Sequence, residues 1–402
     1  MSLAAHDIPE HTRQAEASAA AIAAGLAERF AETAAARDLA GGTPKTERDL
    51  LRASGLLELS IPAEYGGQGA GWAETLAIVR QLARADSSVA HVFAFHHLQL
   101  ASVRLFGTPA QWEPWLAETV RQGWFWGNAL NPLDKRTVAR RVQGGREFSG
   151  SKSFCSGALD SDMLLASAVE DDAGGKLIIA AIPTRRAGIT LFEDWDNMGQ
   201  RQTDSGSALF ERVAVAESEI LSDPGPLSSP FACLRPLLAQ LIFVNIFLGI
   251  AEGAVAEARG YTRTQTRLWS ASPAAQVTED PYILAHYGDF WVALEAARKL
   301  ADHAAARFDA AWDEGLALTE AGRGEVALAV ATAKVVATRG GLDLTSRIFE
   351  VTGARSTTAA LRLDRYWRNL RVHTLHDPLD YKVRELGDWV LNGNYPKPSF
   401  YS

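Results

Sequence analysis

Two pairs of histidines are the residues in this sequence best suited to acid–base chemistry. His96 and His97 lie in an apolar run, where a charged imidazole is costly, so at least one of them should be neutral and hydrogen-bonded. His373 and His376 stand three residues apart, which places both imidazoles on one side of a helical turn. Because imidazole titrates near neutral pH, this second pair favours a general acid or hydrogen-bond donor beside a bound cofactor. Each histidine taken singly also suits an ordinary hydrogen-bonded place in the core.

Metal and nucleotide sites are not indicated. A metal at His373 and His376 would need Asp377 or Asp380 as well, and no third ligand stands at a characteristic spacing, so we predict no metal. The glycine-rich segment 66–71 lies between predicted helices, whereas a dinucleotide loop must link a strand to a helix. We therefore interpret it as a turn, and we expect no nicotinamide-binding module in this chain.

The segment around Cys155 offers hydroxyl groups where a strand enters a turn. A buried, inert thiol is the preferred interpretation of Cys155, because a catalytic thiol would need a base beside it. Ser153 and Ser156 could face a ligand together with backbone N–H groups, although an ordinary serine turn fits equally well. Tryptophans in the same region, Trp195 among them, would fill a core or form a wall for a planar ring system.

Composition limits the classes of function. The chain has 402 residues with 40 Lys and Arg against 48 Asp and Glu, a net charge of −8, which lacks the basic footprint of a nucleic-acid binder. The longest apolar stretch, 237–251, is shorter than the roughly 20 residues that a membrane span needs. The two cysteines cannot build a secreted disulfide framework. We expect a soluble, cytoplasmic protein that binds neither nucleic acid nor membrane.

Three regions must position these residues. Residues 1–122 carry helical periodicity and residues 229–402 predict a four-helix bundle of long, alanine-rich helices. Between them, residues 123–228 contain short apolar segments separated by Gly, Asp, Pro and Ser, which is typical of an antiparallel sandwich or barrel. The prediction is an α+β fold with an N-terminal helical domain, a middle antiparallel β domain and a C-terminal bundle. A first helix is predicted from one apolar face, formed by Ala15, Ala19, Ile22, Leu26 and Phe30. The other predicted helices cover 46–53, 72–84, 87–106, 109–121, 234–261, 281–313, 321–350 and 363–375.

Several motifs resemble the acyl-CoA dehydrogenase superfamily. They are IPAEYGG at 61–67, SGSK at 149–152 and MGQRQTDSGS at 198–207, in the order that this family shows. The resemblance covers nearly the whole chain and implies a flavin between the β domain and the bundle, in a homotetramer. The sequence departs from the family at the catalytic glutamate, because His376-Asp377-Pro378 stands where Glu-Gly-Thr is usual. Asp377 could be a base in principle, but its side chain is shorter and precedes a proline.

The finer resemblance is to the flavin-dependent monooxygenase branch of this superfamily, carried by FCSGA at 154–158, RQTDSGS at 201–207 and HTLHDP at 373–378. It implies that the flavin and substrate pocket is lined by His96, Asn128, Ser156, His373 and His376. It also implies that the flavin is bound by Asn128, Ser156, Trp195, Arg267 and Arg355.

The resulting hypothesis is a two-component monooxygenase. Reduced FMN (FMNH2) and O2 would form a C4a-hydroperoxyflavin that oxygenates a small aromatic or sulfur compound, as in dibenzothiophene-like sulfur oxidation. A separate NAD(P)H:flavin reductase would supply the reduced FMN, since no nicotinamide motif is present. The alternatives are an acyl-CoA dehydrogenase with tightly bound FAD and a non-enzymatic helical scaffold. The last residues, with Phe400 and Tyr401, would either cover a pocket or fray.

Overall fold

The computed structural model describes residues 18–171 and 174–402, in which helices flank a central sheet. Five helices come first, and α4 lies at the centre, with nearly every residue buried. They are Ala19–Ala40 (α1), Lys45–Ala53 (α2), Trp72–Ala85 (α3), Ser87–Phe106 (α4) and Pro109–Gln122 (α5). Local capping sets the start of α4, because the Asp86 carboxylate accepts the backbone N–H groups of Ser88 and Val89.

The middle region is a seven-stranded sheet with its own apolar core. Its strands are Trp126–Ala129 (β1), Val138–Val142 (β2), Gly145–Lys152 (β3), Met163–Glu170 (β4), Leu177–Pro183 (β5), Ile189–Leu191 (β6) and Ala208–Ala216 (β7). The strand order is β1-β4-β2-β3-β7-β6, with β5 also pairing with β4. Most pairs are antiparallel as predicted, but β4 pairs in parallel with both β1 and β2, so the sheet is mixed.

Five more helices complete the chain. They are Leu234–Thr264 (α6), Pro281–Glu314 (α7), Glu320–Thr352 (α8), Asp364–Thr374 (α9) and Leu379–Asn392 (α10). By length and composition α6 could cross a bilayer, but 94% of its most apolar window is buried among other parts of the protein. This helix therefore lies at the centre of the C-terminal bundle, where its apolar residues are covered by the rest of the protein.

Glycines let α6 approach α3 closely. A Cβ atom added at Gly253 would lie 2.2 Å from the Arg84 carbonyl oxygen, and one at Gly249 would lie 2.5 Å from that of Arg80. Such distances are far inside van der Waals contact, so the two helix backbones pack at these points without side chains between them.

We expect Gly253→Ala to lower the free energy of unfolding by about 1–3 kcal/mol, because the added methyl group must push α3 and α6 apart. Gly260→Ala is the matched control on the same helix, since its Cβ would meet nothing within 4 Å. That control should be neutral or stabilising by up to about 1 kcal/mol through helix propensity. Denaturant titrations of both variants measure the difference, and equal stabilities would contradict the packing argument.

The predicted α+β architecture is confirmed, and most predicted helices begin and end within three residues of the observed ones. Two elements were not predicted. Strand β3 is rich in Gly, Ser and charged residues, so its apolar signal is weak, and α10 follows Pro378, which separates it from α9. Both matter for the site, since β3 leads into the turn that carries Ser156 and α10 is adjacent to His376.

Candidate active site

A cavity of about 560 Å³ lies where the N-terminal helices, the sheet and the C-terminal helices meet. Its walls come from α4, the end of β1, the turn after β3, the loop 195–205, the start of α6 and the residues around the end of α9. This volume is within the range of small-molecule sites. Among the predicted residues, those that line it are Asn128, Ser156, Trp195, His373 and His376.

A chain of hydroxyl groups runs along the sheet side of the cavity. The Oγ atoms of Ser156 and Ser205 are 2.7 Å apart, and Ser205 Oγ is 2.7 Å from Thr203 Oγ1. Nearby, the side-chain Oδ1 of Asn128 accepts a long hydrogen bond of 3.3 Å from Gln99 Nε2. Because hydroxyl groups both donate and accept hydrogen bonds, this wall can bind a planar ligand through either donor or acceptor atoms at the edge of its ring.

Aromatic rings form the apolar part of the lining. The rings of Phe154 and Trp195 meet edge to face at 5.8 Å, and Trp195 is held by a hydrogen bond from its Nε1 to the Gln200 carbonyl oxygen. Phe154 has φ of 60°, a left-handed conformation that is uncommon for a residue with a side chain. Strain of this kind persists where the surroundings impose it, often at functional sites. Here it turns a phenyl ring into the cavity.

His91 and His373 form a pair of neutral imidazoles in the cavity wall. Their ring centroids are 4.8 Å apart, and Phe95 stacks on His91 at 4.0 Å. Burial lowers the pKa of His91 to about 3 and that of His373 well below its ordinary value, so both are uncharged at neutral pH. Both nitrogens of His91 and Nδ1 of His373 are closed off from water without a hydrogen-bond partner among the described residues. Unpartnered buried nitrogens of this kind are rare and call for a ligand or a functional reason.

His376 is oriented by a buried ion pair. Its Nδ1 lies 3.2 Å from Asp377 Oδ1, and the same oxygen accepts hydrogen bonds from Lys334 and Gln240. Burial opposes ionisation of Asp377, but the hydrogen bonds from His376 and Lys334 outweigh it and hold the pKa of Asp377 well below its usual range. Burial lowers the pKa of Lys334 only to about 8, so the pair is ionic at pH 7.

This arrangement fixes the tautomer of His376. A carboxylate only accepts hydrogen bonds, so Nδ1 of a neutral His376 carries the proton and Nε2 remains free. The side chain of His376 is 38% exposed, and its ring contacts Phe243 and Tyr401 in the cavity wall. His376 is thus an oriented imidazole that is open to a ligand.

His96, which the resemblance placed in the pocket, does not line the cavity. Its Nε2 donates to the Leu57 carbonyl oxygen at 2.8 Å, and its Nδ1 accepts the backbone N–H of Trp126 at 3.1 Å. Burial lowers its pKa to about 3. Its hydrogen bonds join α4 to the segment before α3 and to β1, and the histidine of α4 that lines the cavity is His91.

Arg267 and Arg355 also lie outside this cavity. Both are exposed, and Arg355 Nη2 donates to the carbonyl oxygen of Gln265, two residues before Arg267, at 2.6 Å. The structure does not bring either arginine to the cavity that Ser156 lines.

The segment from Tyr395 to Ser402 covers one side of the cavity. Phe400 and Tyr401 are part of the lining. The segment is held in place by Arg323, which donates to the Pro396 carbonyl oxygen at 2.6 Å, and by Lys382, which donates to that of Tyr401 at 2.7 Å. The sequence left open whether the last residues cover a pocket or fray. In the structure they cover the cavity of their own chain.

Sequence reasoning missed several lining residues, namely His91, Phe95, Thr203, Ser205, Arg235, Gln240 and Phe243. Some left a usable signal, because Arg235, Ala239 and Phe243 repeat at intervals of four on one helical face. Cys155 does not line the cavity, and burial raises the pKa of its thiol to about 12, as expected of an inert cysteine.

Comparisons with known proteins agree with this architecture. Models described as the acyl-CoA dehydrogenase N-terminal and C-terminal domains match residues 12–122 and 241–381. A probable FMNH2-dependent monooxygenase, SfnC of Pseudomonas putida, is 64% identical over 384 residues, which cover 96% of this chain and 97% of the relative. The structure of methanesulfinate monooxygenase MsuC from Pseudomonas fluorescens matches with a TM-score of 0.95 and 66% identity, covering 96% and 100% of the two chains. FMN-bound TdsC, a dibenzothiophene monooxygenase from Paenibacillus sp. A11-2, matches with a TM-score of 0.90 and 43% identity, covering 95% and 99%.

Proposed function

The chain belongs to the flavin-dependent monooxygenases of the acyl-CoA dehydrogenase family, and we propose that it uses reduced FMN and O2 to oxygenate the sulfur atom of a small organic compound. The observation that carries the proposal is the oriented imidazole of His376 beside the neutral pair His91 and His373. These imidazoles can form hydrogen bonds to a ligand without placing a carboxylate in the cavity.

The position of Asp377 argues against the dehydrogenase alternative. Removal of a proton from a carbon acid needs a base that faces the substrate, and in acyl-CoA dehydrogenases this base is a carboxylate. Asp377 does not line the cavity, and its Oδ1 is engaged by Lys334, Gln240 and His376. A carboxylate with so low a pKa and three hydrogen bonds is a poor base.

The cavity fits a planar flavin. The aromatic pair Phe154 and Trp195 provides a surface for a ring system, and the hydroxyl chain of Ser156, Ser205 and Thr203 provides hydrogen bonds for its polar edge. Overall, one oxygen atom of O2 bonds to the substrate sulfur, the other leaves as water, and two electrons and two protons come from reduced FMN.

The protein's own contribution is to hold a proton and to exclude water. Nε2 of His376 can hold a proton while Nδ1 keeps its hydrogen bond to Asp377. His91 lines the cavity, and a rotation of its ring would present a nitrogen to a ligand. Phe243 and Tyr401 pack against His376 and limit the access of water, which would otherwise divert the reaction.

We infer a separate NAD(P)H:flavin reductase and a homotetrameric, cytoplasmic enzyme. The reductase is supported by the lack of a nicotinamide motif in the sequence. The assembly is supported by Arg267 and Arg355, which are exposed, and by Trp269, two residues after Arg267, which is 76% exposed. In such an assembly these arginines would bind the flavin phosphate of a neighbouring subunit.

The test supplies purified protein with reductase-generated FMNH2, labelled O2 (¹⁸O₂) and either methanesulfinate or dibenzothiophene. We expect the product to gain one labelled oxygen atom in each turnover, detected by mass spectrometry. Omission of the reductase should abolish it. No labelled product from any sulfur compound, together with bleaching of a bound flavin by an acyl-CoA, would support the dehydrogenase alternative.

We expect Lys382→Met to increase several-fold the share of O2 that is released as hydrogen peroxide. The substitution removes the donor to the Tyr401 carbonyl oxygen, so the 395–402 segment should open and admit water. The ratio of hydrogen peroxide to oxygenated product measures this. Lys397→Met, an exposed lysine of the same segment, is the matched control and should behave as wild type. An unchanged ratio in Lys382→Met would show that this hydrogen bond does not control access.

A further inference from the structure

Arg235, in the first turn of α6, is a buried cation that lines the cavity. It is 8% exposed, and its Nε donates to Ser102 Oγ at 3.2 Å. Burial lowers the pKa of Arg235 to about 10, so its guanidinium remains charged at neutral pH. Within residues 18–171 and 174–402, no carboxylate forms an ion pair with it, and its two terminal nitrogens donate to no described residue.

A buried charge without a partner is unusual, because the loss of hydration is not offset. Two other buried cations have carboxylate partners, Lys334 with Asp377 and Arg365 with Glu257. Arg323 has no carboxylate partner among the described residues, but it lies outside the cavity and donates to the Pro396 carbonyl oxygen. The described lining of the cavity contains no Asp or Glu, so Arg235 gives the cavity a net positive charge. The missing counter-charge is therefore most simply supplied by a ligand.

The surroundings of Arg235 leave room for a small ligand. Ala239, one turn further along the same face of α6, contributes only a methyl group, and Phe243 on the next turn contacts His376. Tyr401 lines the same cavity as Arg235, and its ring lies 5.5 Å from that of His376. A small anion at Arg235 would thus share one cavity with the catalytic imidazoles.

We propose that Arg235 binds the oxyanion of the substrate, so that the enzyme prefers a small alkyl sulfinate to a neutral thioether or thiophene. This inference rests on the proposed function and specifies its substrate. A guanidinium presents two parallel N–H groups to two oxygens, which suits the paired oxygens of a sulfinate. The sulfur lone pair then remains free to accept the oxygen atom. An oxyanion could also come from the FMN phosphate, so the experiment must separate these two sources.

The experiment measures equilibrium binding in the absence of reductase and NAD(P)H, so that no turnover occurs. Methanesulfinate, its neutral analogue dimethyl sulfoxide and oxidised FMN are titrated by calorimetry into wild type, Arg235→Met, Arg235→Lys and Arg104→Met. Arg104→Met removes the same charge from a largely buried site between Trp112 and Trp312, outside the cavity, and serves as the matched control.

We expect Arg235→Met to weaken methanesulfinate binding by about 30-fold or more, since hydrogen bonds between charged groups are lost. Binding of dimethyl sulfoxide and FMN should stay near the wild-type values, and Arg235→Lys should retain part of the affinity. Methanesulfinate should raise the melting temperature of wild type but not of Arg235→Met. The variant without ligand should melt no lower than wild type, because an unpaired buried charge has been removed.

Unchanged methanesulfinate binding in Arg235→Met would overturn the proposal, as would wild type that binds methanesulfinate no better than dimethyl sulfoxide. A loss of FMN binding with methanesulfinate binding intact would assign the guanidinium to the flavin phosphate and also overturn it. If wild type binds methanesulfinate through Arg235 yet forms no methanesulfonate with FMNH2 and O2, the proposed function fails while the anion site stands.

Discussion

Replacement of His376 by alanine is expected to lower the rate of oxygenated product formation by about 100-fold or more, as is usual when one positioned donor in an active site is removed. The variant should remain folded, because the side chain is 38% exposed and its described polar contact is Asp377. Oxygen consumption should continue with hydrogen peroxide as the main product. Measurements of product, peroxide and O2 on the same sample separate a loss of transfer from a loss of flavin binding.

Two further variants test whether orientation of His376 matters. His376→Gln retains a polar group at the position of Nε2 and should recover part of the activity. Asp377→Asn keeps the size of the side chain but removes the charge that fixes the tautomer, and it leaves Lys334 unpaired. It should therefore reduce both activity and stability, whereas His376→Ala reduces activity alone. Product formation by His376→Ala within about twofold of wild type would exclude the role of this imidazole, since the effect of a lost donor is far larger.

The order of elements was largely predictable because it depends on local sequence. Asp86 before an apolar run marks the start of α4, and Pro109 after Thr108 marks the start of α5; both boundaries were predicted and observed. Strand β3 was not predicted, because its extended structure depends on pairing with β2 and β7 and its own sequence lacks a strong apolar pattern. The parallel pairs of β4 likewise depend on tertiary arrangement.

Site residues that belong to sequence motifs were predictable. Site residues that depend on which face of a buried helix points towards the cavity were not. His373 and His376 lie at a helix end, where the spacing of three suffices to bring both to one cavity. Helix α4 is buried on nearly all faces, so its hydrophobic periodicity cannot distinguish the face of His91 from that of His96. Lys334 and Arg235 lie in long apolar helices, and the groups that each side chain faces are set by packing between distant segments.

The second large effect on activity is expected at His91, which lines the cavity, unlike His96 on the same helix. We expect His91→Leu to lower product formation by about 100-fold while leaving the free energy of unfolding unchanged or higher. The reason is that His91 has no hydrogen-bond partner within residues 18–171 and 174–402, so leucine removes two unpaired polar atoms from a buried position. Activity and denaturant titration are measured on the same preparation.

His96→Leu is the matched variant on the same helix and should show the opposite pattern. It removes the hydrogen bonds to the Leu57 carbonyl oxygen and from the Trp126 N–H, so two buried backbone groups lose their partners. Each unpaired group costs about 1–3 kcal/mol, so we expect a loss of stability of about 2–5 kcal/mol. At a temperature where this variant is folded, its rate should fall less than that of His91→Leu. If His96→Leu instead lost activity with unchanged stability, the original placement of His96 in the pocket would be restored and the role of His91 would have to be withdrawn.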